Sequence, residues 1–96
     1  MSDIRVTDVP SAGRYEITVD GELAGFSAYH DRLGRRVFTH TEIDPAVEGH
    51  GIGSQLVRAA LDDVRARGMK VVPLCPFVHA WLDSHDGYAD IVDEPR

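Results

Sequence analysis

The sequence predicts an α+β fold built on one mixed sheet, an antiparallel meander followed by helix, strand and helix. Three observations predict it. Residues 14–43 carry alternating strand-forming stretches, cut by the hairpin signal Asp20-Gly21 and by Asp31-Arg32-Leu33-Gly34. Apolar residues then recur at helical spacing from Ile52 to Val64. A short apolar run, Met69 to Leu74, leads into Pro73-Leu74-Cys75-Pro76 and a second apolar cluster.

Taken in order, Ile4 to Val9 is suited to a short edge strand. Arg14 to Val19 alternates and is rich in Tyr, Ile, Thr and Val, the residues that fit a pleated surface. Asp20-Gly21 turns the chain into a second strand, Glu22 to His30, and the turn at 31–34 into a third, Arg35 to Ile43. Strict alternation in the third strand puts Val37, Thr39, Thr41 and Ile43 on one face and Phe38, His40 and Glu42 on the other. Asp44-Pro45 ends it. In the long helix Ile52, Leu56, Val57, Ala60, Leu61 and Val64 form one stripe, with Arg58, Asp62, Asp63, Arg65 and Arg67 opposite. Gly68 is placed to stop this helix. Met69 to Leu74 reads as a buried strand and Phe77 to Ser84 as a short helix. Tyr88 to Val92 is read as a last short strand.

Ninety-six residues predict one domain, 1–96, with a modest core: roughly two thirds of the unfolded chain's surface is buried at this size. Ten basic against sixteen acidic side chains give a net charge of -6. That balance argues against sequence-independent binding to nucleic acid or to an anionic membrane, and it suits a cationic substrate such as an amine. No apolar run is long enough to span a bilayer, and Met1-Ser2-Asp3-Ile4-Arg5 lacks the features of a signal peptide. The expectation is a cytoplasmic monomer or weak dimer. The single cysteine, Cys75, has no intramolecular disulfide partner and is either a small buried hydrophobe or a reactive thiol.

The segment Glu48-Gly49-His50-Gly51-Ile52-Gly53-Ser54 stands between the third strand and the long helix. A helix N-terminus offers unpaired N–H groups and the positive end of the macrodipole. Glycines there let an anion approach the backbone, so the segment reads as a phosphate or diphosphate cradle.

Gly51 and Gly53, together with the order of elements, carry a resemblance to the GNAT superfamily of N-acetyltransferases. The family pattern is Gln or Arg, two residues, Gly, one residue, then Gly or Ala; Glu48 stands where the family has Gln or Arg. His40-Thr41-Glu42, Gly49-His50-Gly51-Ile52-Gly53, Pro73-Leu74-Cys75-Pro76-Phe77-Val78 and His85-Asp86-Gly87-Tyr88-Ala89-Asp90 are similar to motifs of its very short single-domain members. The resemblance implies a V-shaped splay between the strand ending at Ile43 and the strand ending at Leu74. It implies acetyl coenzyme A as cosubstrate, with Ile43, Glu48, Gly49, His50, Gly51, Ile52, Gly53 and Ser54 holding it and the pantetheine arm lying in the splay. No metal is expected. The family's first helices, which often shape the acceptor site, are missing, so a shallow acceptor pocket is expected.

Three residues are candidates for the chemistry. His40 is a candidate general base, because a histidine changes charge near neutrality; the alternative is a hydrogen-bonded structural histidine. Glu42, on the same face, would orient His40 or act as base itself, or is simply an exposed strand carboxylate. Cys75, at the end of the strand facing the thioester, is a candidate nucleophile activated by His40, or a core cysteine. Backbone N–H groups around Glu42 and Ile43 would serve the oxyanion, by resemblance. Tyr88 reads as packing, with Trp81 near the place where larger members have an acid tyrosine. His79, His85 and Cys75 match no metal-site spacing. Arg32, Arg35 and Arg36 read as a solvated basic turn, the alternative being a patch that meets an acidic partner or a cofactor phosphate. The function this implies is acetyl transfer from acetyl coenzyme A to an amine, a protein lysine or a small amine; the alternative is a non-catalytic coenzyme A or acyl coenzyme A binding module, acting as a sensor or partner-docking domain.

Overall fold

The computed structural model describes residues 3–93, so the first two and last three residues of the expected 1–96 domain lie outside the described residues. Five strands form one sheet in sequential order: β1 Ile4–Val9, β2 Arg14–Val19, β3 Glu22–Arg32, β4 Arg35–Ile43 and β5 Lys70–Pro73. The first three pairings are antiparallel, and β5 joins β4 in parallel after the crossover helix α1, Ile52–Ala66. A second helix, α2, runs Pro76–Ser84. The architecture is the predicted mixed α+β sheet.

Local chemistry accounts for the boundaries. Asp20 and Gly21 both take positive φ (53° and 84°), the two-residue hairpin turn whose twist matches the strands. The next turn is shorter than expected: Leu33 and Gly34 take φ 52° and 77°, and β3 runs on through Arg32. Helix α1 ends in a Schellman motif. Gly68 is left-handed at φ 70°, its N–H donates to the Arg65 carbonyl, and the Met69 N–H donates to the Val64 carbonyl. Strand β5 is shorter than the run Met69 to Leu74, because Met69 belongs to that cap. Pro76 opens α2, where its missing N–H costs nothing. The tail forms no strand; Val92 makes one isolated bridge to Val71.

The predicted stripe of α1 is buried and packs with Tyr15, Ile17, Ala24 and Phe38 of the sheet and Val78 and Trp81 of α2. The apolar spacing of that one helix therefore decides which face of the sheet is covered. Of the basic residues at the second hairpin, Arg32 and Arg35 are exposed as expected, but Arg36 is not a solvated turn residue. Arg36 is 4% exposed and is held by Asp31 (2.8 Å), Tyr15 (2.7 Å) and, more loosely, Asp8 (3.4 Å). Arg35 pairs with Asp93. The acids that bury Arg36 come from β1, β3 and α1, which local charge spacing does not reveal.

Candidate functional site

Strand β4 positions the site through an irregularity. Ala28 pairs with His40 but Tyr29 pairs with Phe38, so Thr39 is an extra residue in β4. Side-chain alternation changes phase there. Phe38 lies in the core, and His40 and Glu42 lie on the open face with Phe26, whose ring centroid is 6.0 Å from that of His40. Phe38 and His40 therefore do not share a face as strict alternation predicts. Thr41 turns to the covered side and meets Ser27 at 2.9 Å.

The parallel pairing of β4 with β5 ends at Phe38 and Pro73, just where the bulge sits. Beyond it β4 continues to Ile43 with no partner strand on that edge among the described residues, which leaves backbone N–H and C=O groups facing a gap. Cys75 closes the inner end of the gap. It is the N-cap of α2, two residues past β5, and its N–H donates to the Phe38 carbonyl at 2.8 Å. Its thiol, 1% exposed, donates to the Thr41 hydroxyl at 3.3 Å. His40 and Thr41 are neighbours on a strand and point to opposite faces, so the structure does not bring His40 to Cys75. The partner of His40 is Glu42: Nε2 lies 2.9 Å from the carboxylate, and both side chains are more than half exposed. A carboxylate accepts at Nε2–H, which leaves Nδ1 as the ring's proton acceptor.

At the outer end of the gap lies a cavity of about 350 Å³, lined by Ile43, Glu48, Gly49, Gly51, Ile52, Gly53, Ser54 and Phe77. Of the residues expected to hold a cofactor, all but His50 stand on its wall. Phe77 is the addition: sequence reading placed it in the short helix and in a family-like motif but not at the cofactor; its place directly after Cys75-Pro76 was the available signal. Gly51 is the N-cap of α1 at φ 75°, and the space where its Cβ would point is open. The first bond of the helix is from Gln55 N–H to the Gly51 carbonyl, and no side chain caps the end. The N–H groups of Ile52, Gly53 and Ser54 thus have no acceptor within the helix. Gly53 is glycine for a different reason: a Cβ there would stand 2.5 Å from Phe77 Cζ. Among the described residues the wall carries no Lys or Arg, so an anion would be held by backbone N–H groups and the helix dipole, against the charge of Glu48.

The remaining candidates have structural partners. The Tyr88 hydroxyl, raised above its ordinary pKa by burial and by Asp62, donates to that carboxylate at 2.7 Å. His85 stacks on Trp81 and His79 lies 3.4 Å from Asp83. Among the described residues no group of three or more His, Cys, Asp and Glu side chains is arranged to hold a metal ion.

The sequence model of the GCN5-related N-acetyl-transferase family matches residues 14–91, from β2 through the glycine loop and both helices to the tail. The chain belongs to that family. Acetyl transfer is the reaction of this N-acetyltransferase family, and acetyl coenzyme A is its cosubstrate. The fold is shared with a GCN5-like protein from Staphylococcus aureus at TM-score 0.75 and 20% identity, over 100% of this chain and 94% of that one. It is shared also with the ribosomal-protein-S18-alanine N-acetyltransferase from Escherichia coli at TM-score 0.61 and 17% identity, over 74% of this chain and 64% of that one. No curated protein matches. No helix among the described residues is long and apolar enough to cross a membrane.

Proposed function

We propose that this N-acetyltransferase binds acetyl coenzyme A along the gap between β4 and β5 and moves its acetyl group directly to a primary amine, of a protein lysine or a small molecule. The observation that carries the reading is the cavity where the end of β4, the glycine loop and Phe77 meet. Its residues fit a diphosphate: three N–H groups without helical acceptors, an N-cap that needs glycine, and open space before it. The cosubstrate supplies the activated acetyl group, a thioester with a thiolate leaving group.

This chain's own residues do the rest. The unpaired edge of β4 offers N–H groups to an extended arm and to the oxygen on which charge develops during transfer. His40, oriented by Glu42, takes the proton from the attacking amine at Nδ1, directly or through water. Both are exposed, so the amine comes from solvent to the open face, as a shallow acceptor site requires. Cys75 serves here as the closure of the gap, with its thiol turned to Thr41.

The test is incubation with acetyl coenzyme A and a panel of lysine peptides, polyamines and small amines, read by mass spectrometry of the amines and by release of free thiol. Acetylated amine above the uncatalysed level supports the reading. Coenzyme A binding with no amine acetylated would favour the non-catalytic module instead.

A further inference from the structure

Helix α2 touches the first turn of α1 at two points one helical turn apart: Phe77 against Gly53, and Trp81 against Ser54. The second contact is a hydrogen bond of 2.9 Å from the indole Nε1–H to the Ser54 hydroxyl oxygen. Its direction is fixed by chemistry, because an indole nitrogen only donates. Ser54 therefore accepts, and its own proton is left for another acceptor. A serine in a helix usually gives that proton to a carbonyl three or four residues back. Here, among the described residues, no protein group accepts it. Ser54 lines the cavity, and of the described residues on that wall it holds the sole side-chain donor, Glu48 being the other polar side chain.

Trp81 is itself held. It is 6% exposed, stacks on His85 at 3.9 Å and 6° between planes, meets the Tyr88 ring at 5.4 Å, and has the Arg58 guanidinium 5.2 Å from its centroid. Such a ring cannot turn its N–H elsewhere without disturbing three neighbours.

We propose that Trp81 is a positioning residue for the cofactor cavity: its indole N–H holds the Ser54 hydroxyl so that the Ser54 proton is donated to the diphosphate of coenzyme A. The proposal rests on reading the cavity as the coenzyme A site. It assigns the cavity one side-chain hydrogen bond beside its backbone donors, on a wall that has no cation.

The experiment is calorimetric titration of coenzyme A into wild type, Trp81→Phe, Ser54→Ala, Ser54→Thr and the double variant Trp81→Phe/Ser54→Ala. Phenylalanine keeps a ring in place and removes the donor. Each of Trp81→Phe and Ser54→Ala is expected to weaken binding roughly three- to tenfold. The double variant is expected to bind no more weakly than Ser54→Ala within about twofold, because Trp81 acts through Ser54. Ser54→Thr, which keeps the hydroxyl, is expected to stay near wild type. Unchanged affinity in Trp81→Phe, or additive losses in the double variant, would overturn the proposal. Should Trp81→Phe fail to fold, equal affinity of Ser54→Ala and Ser54→Thr would overturn it instead. A wild type that does not bind coenzyme A would fail earlier, at the reading of the cavity itself.

Discussion

Phe77 occupies the place where a side chain on Gly53 would stand, with its Cζ 2.5 Å from that Cβ position. The glycine of the second helical position is thus a packing glycine, and the ring it admits forms one wall of the cavity.

The consequence is a specific coupling. Gly53→Ala adds a helix-favouring residue but pushes the Phe77 ring, which is 41% exposed and free to swing, across the cavity. The melting temperature should change little while coenzyme A affinity falls. Removing the ring in Gly53→Ala/Phe77→Ala should recover affinity relative to Gly53→Ala alone. Calorimetry of wild type and the two variants checks it; wild-type affinity in Gly53→Ala would show that the ring accommodates the methyl group elsewhere.

A second prediction concerns acid stability. The Arg36 hydrogen bond holds the Asp31 carboxyl below the usual range. Burial alone would raise Asp63, but its hydrogen bonds from Tyr15 and Arg67 and the nearby guanidinium charges outweigh it and hold that group low as well. A carboxyl depressed in the folded state contributes stability that is present above its unfolded pKa, about 4, and lost as pH falls through the folded value. Stability should therefore be level from neutrality to about pH 4 and decline below it. Arg36→Met should lower stability by about 2 kcal/mol at neutral pH, since it leaves Tyr15 and Asp8 short of a partner, and should flatten the acid decline. Urea titrations at several pH values measure both; an acid limb of unchanged steepness in Arg36→Met would contradict the assignment.

Much of this architecture was legible in the sequence, and the exceptions share a cause. The α1 stripe, the Asp20-Gly21 turn and the Gly68 cap depend on residues close in sequence, and the structure agrees with each. The faces of β4 were misread because the bulge at Thr39 is set by pairing with β3, not by local pattern. Arg36 looked like a solvated turn residue because Asp8 and Asp63 lie far away along the chain. The residues from Glu48 to Ser54, except His50, stand on one cavity wall, a grouping their closeness in sequence made legible, but Phe77 on the same wall required the α1 to α2 contact.

His40 supplies a third prediction. An imidazole nitrogen without a proton accepts the proton of the attacking amine, so the transfer step depends on His40. His40→Ala should lose ~10²-fold of the rate, while coenzyme A affinity stays near wild type. Glu42→Gln keeps a hydrogen-bond acceptor at the ring and should lose less. The measurement is the turnover of the three proteins with one accepted amine; equal rates for wild type and His40→Ala would make His40 structural.

Cys75 supplies a fourth. Its thiol is buried against Thr41, and His40 lies on the opposite face of β4. Cys75→Ala should cost about 1 kcal/mol of stability for the small cavity and keep most of the turnover. Mass spectrometry of wild type with acetyl coenzyme A and no acceptor should show no acetyl group on Cys75. An adduct there, with turnover lost in Cys75→Ala, would establish a covalent route.

The central claim is that the first turn of α1 holds the diphosphate of coenzyme A through its backbone N–H groups. The most direct measurement is an NMR titration of 15N-labelled protein with coenzyme A, following each amide. The account predicts that the largest shifts fall on Ile52, Gly53 and Ser54, whose N–H groups have no acceptor within the helix, and that the same ligand added to Gly51→Val, strained at φ 75°, leaves them unmoved. Saturable binding whose shifts lie elsewhere, with these three amides unchanged in the wild type, would contradict it.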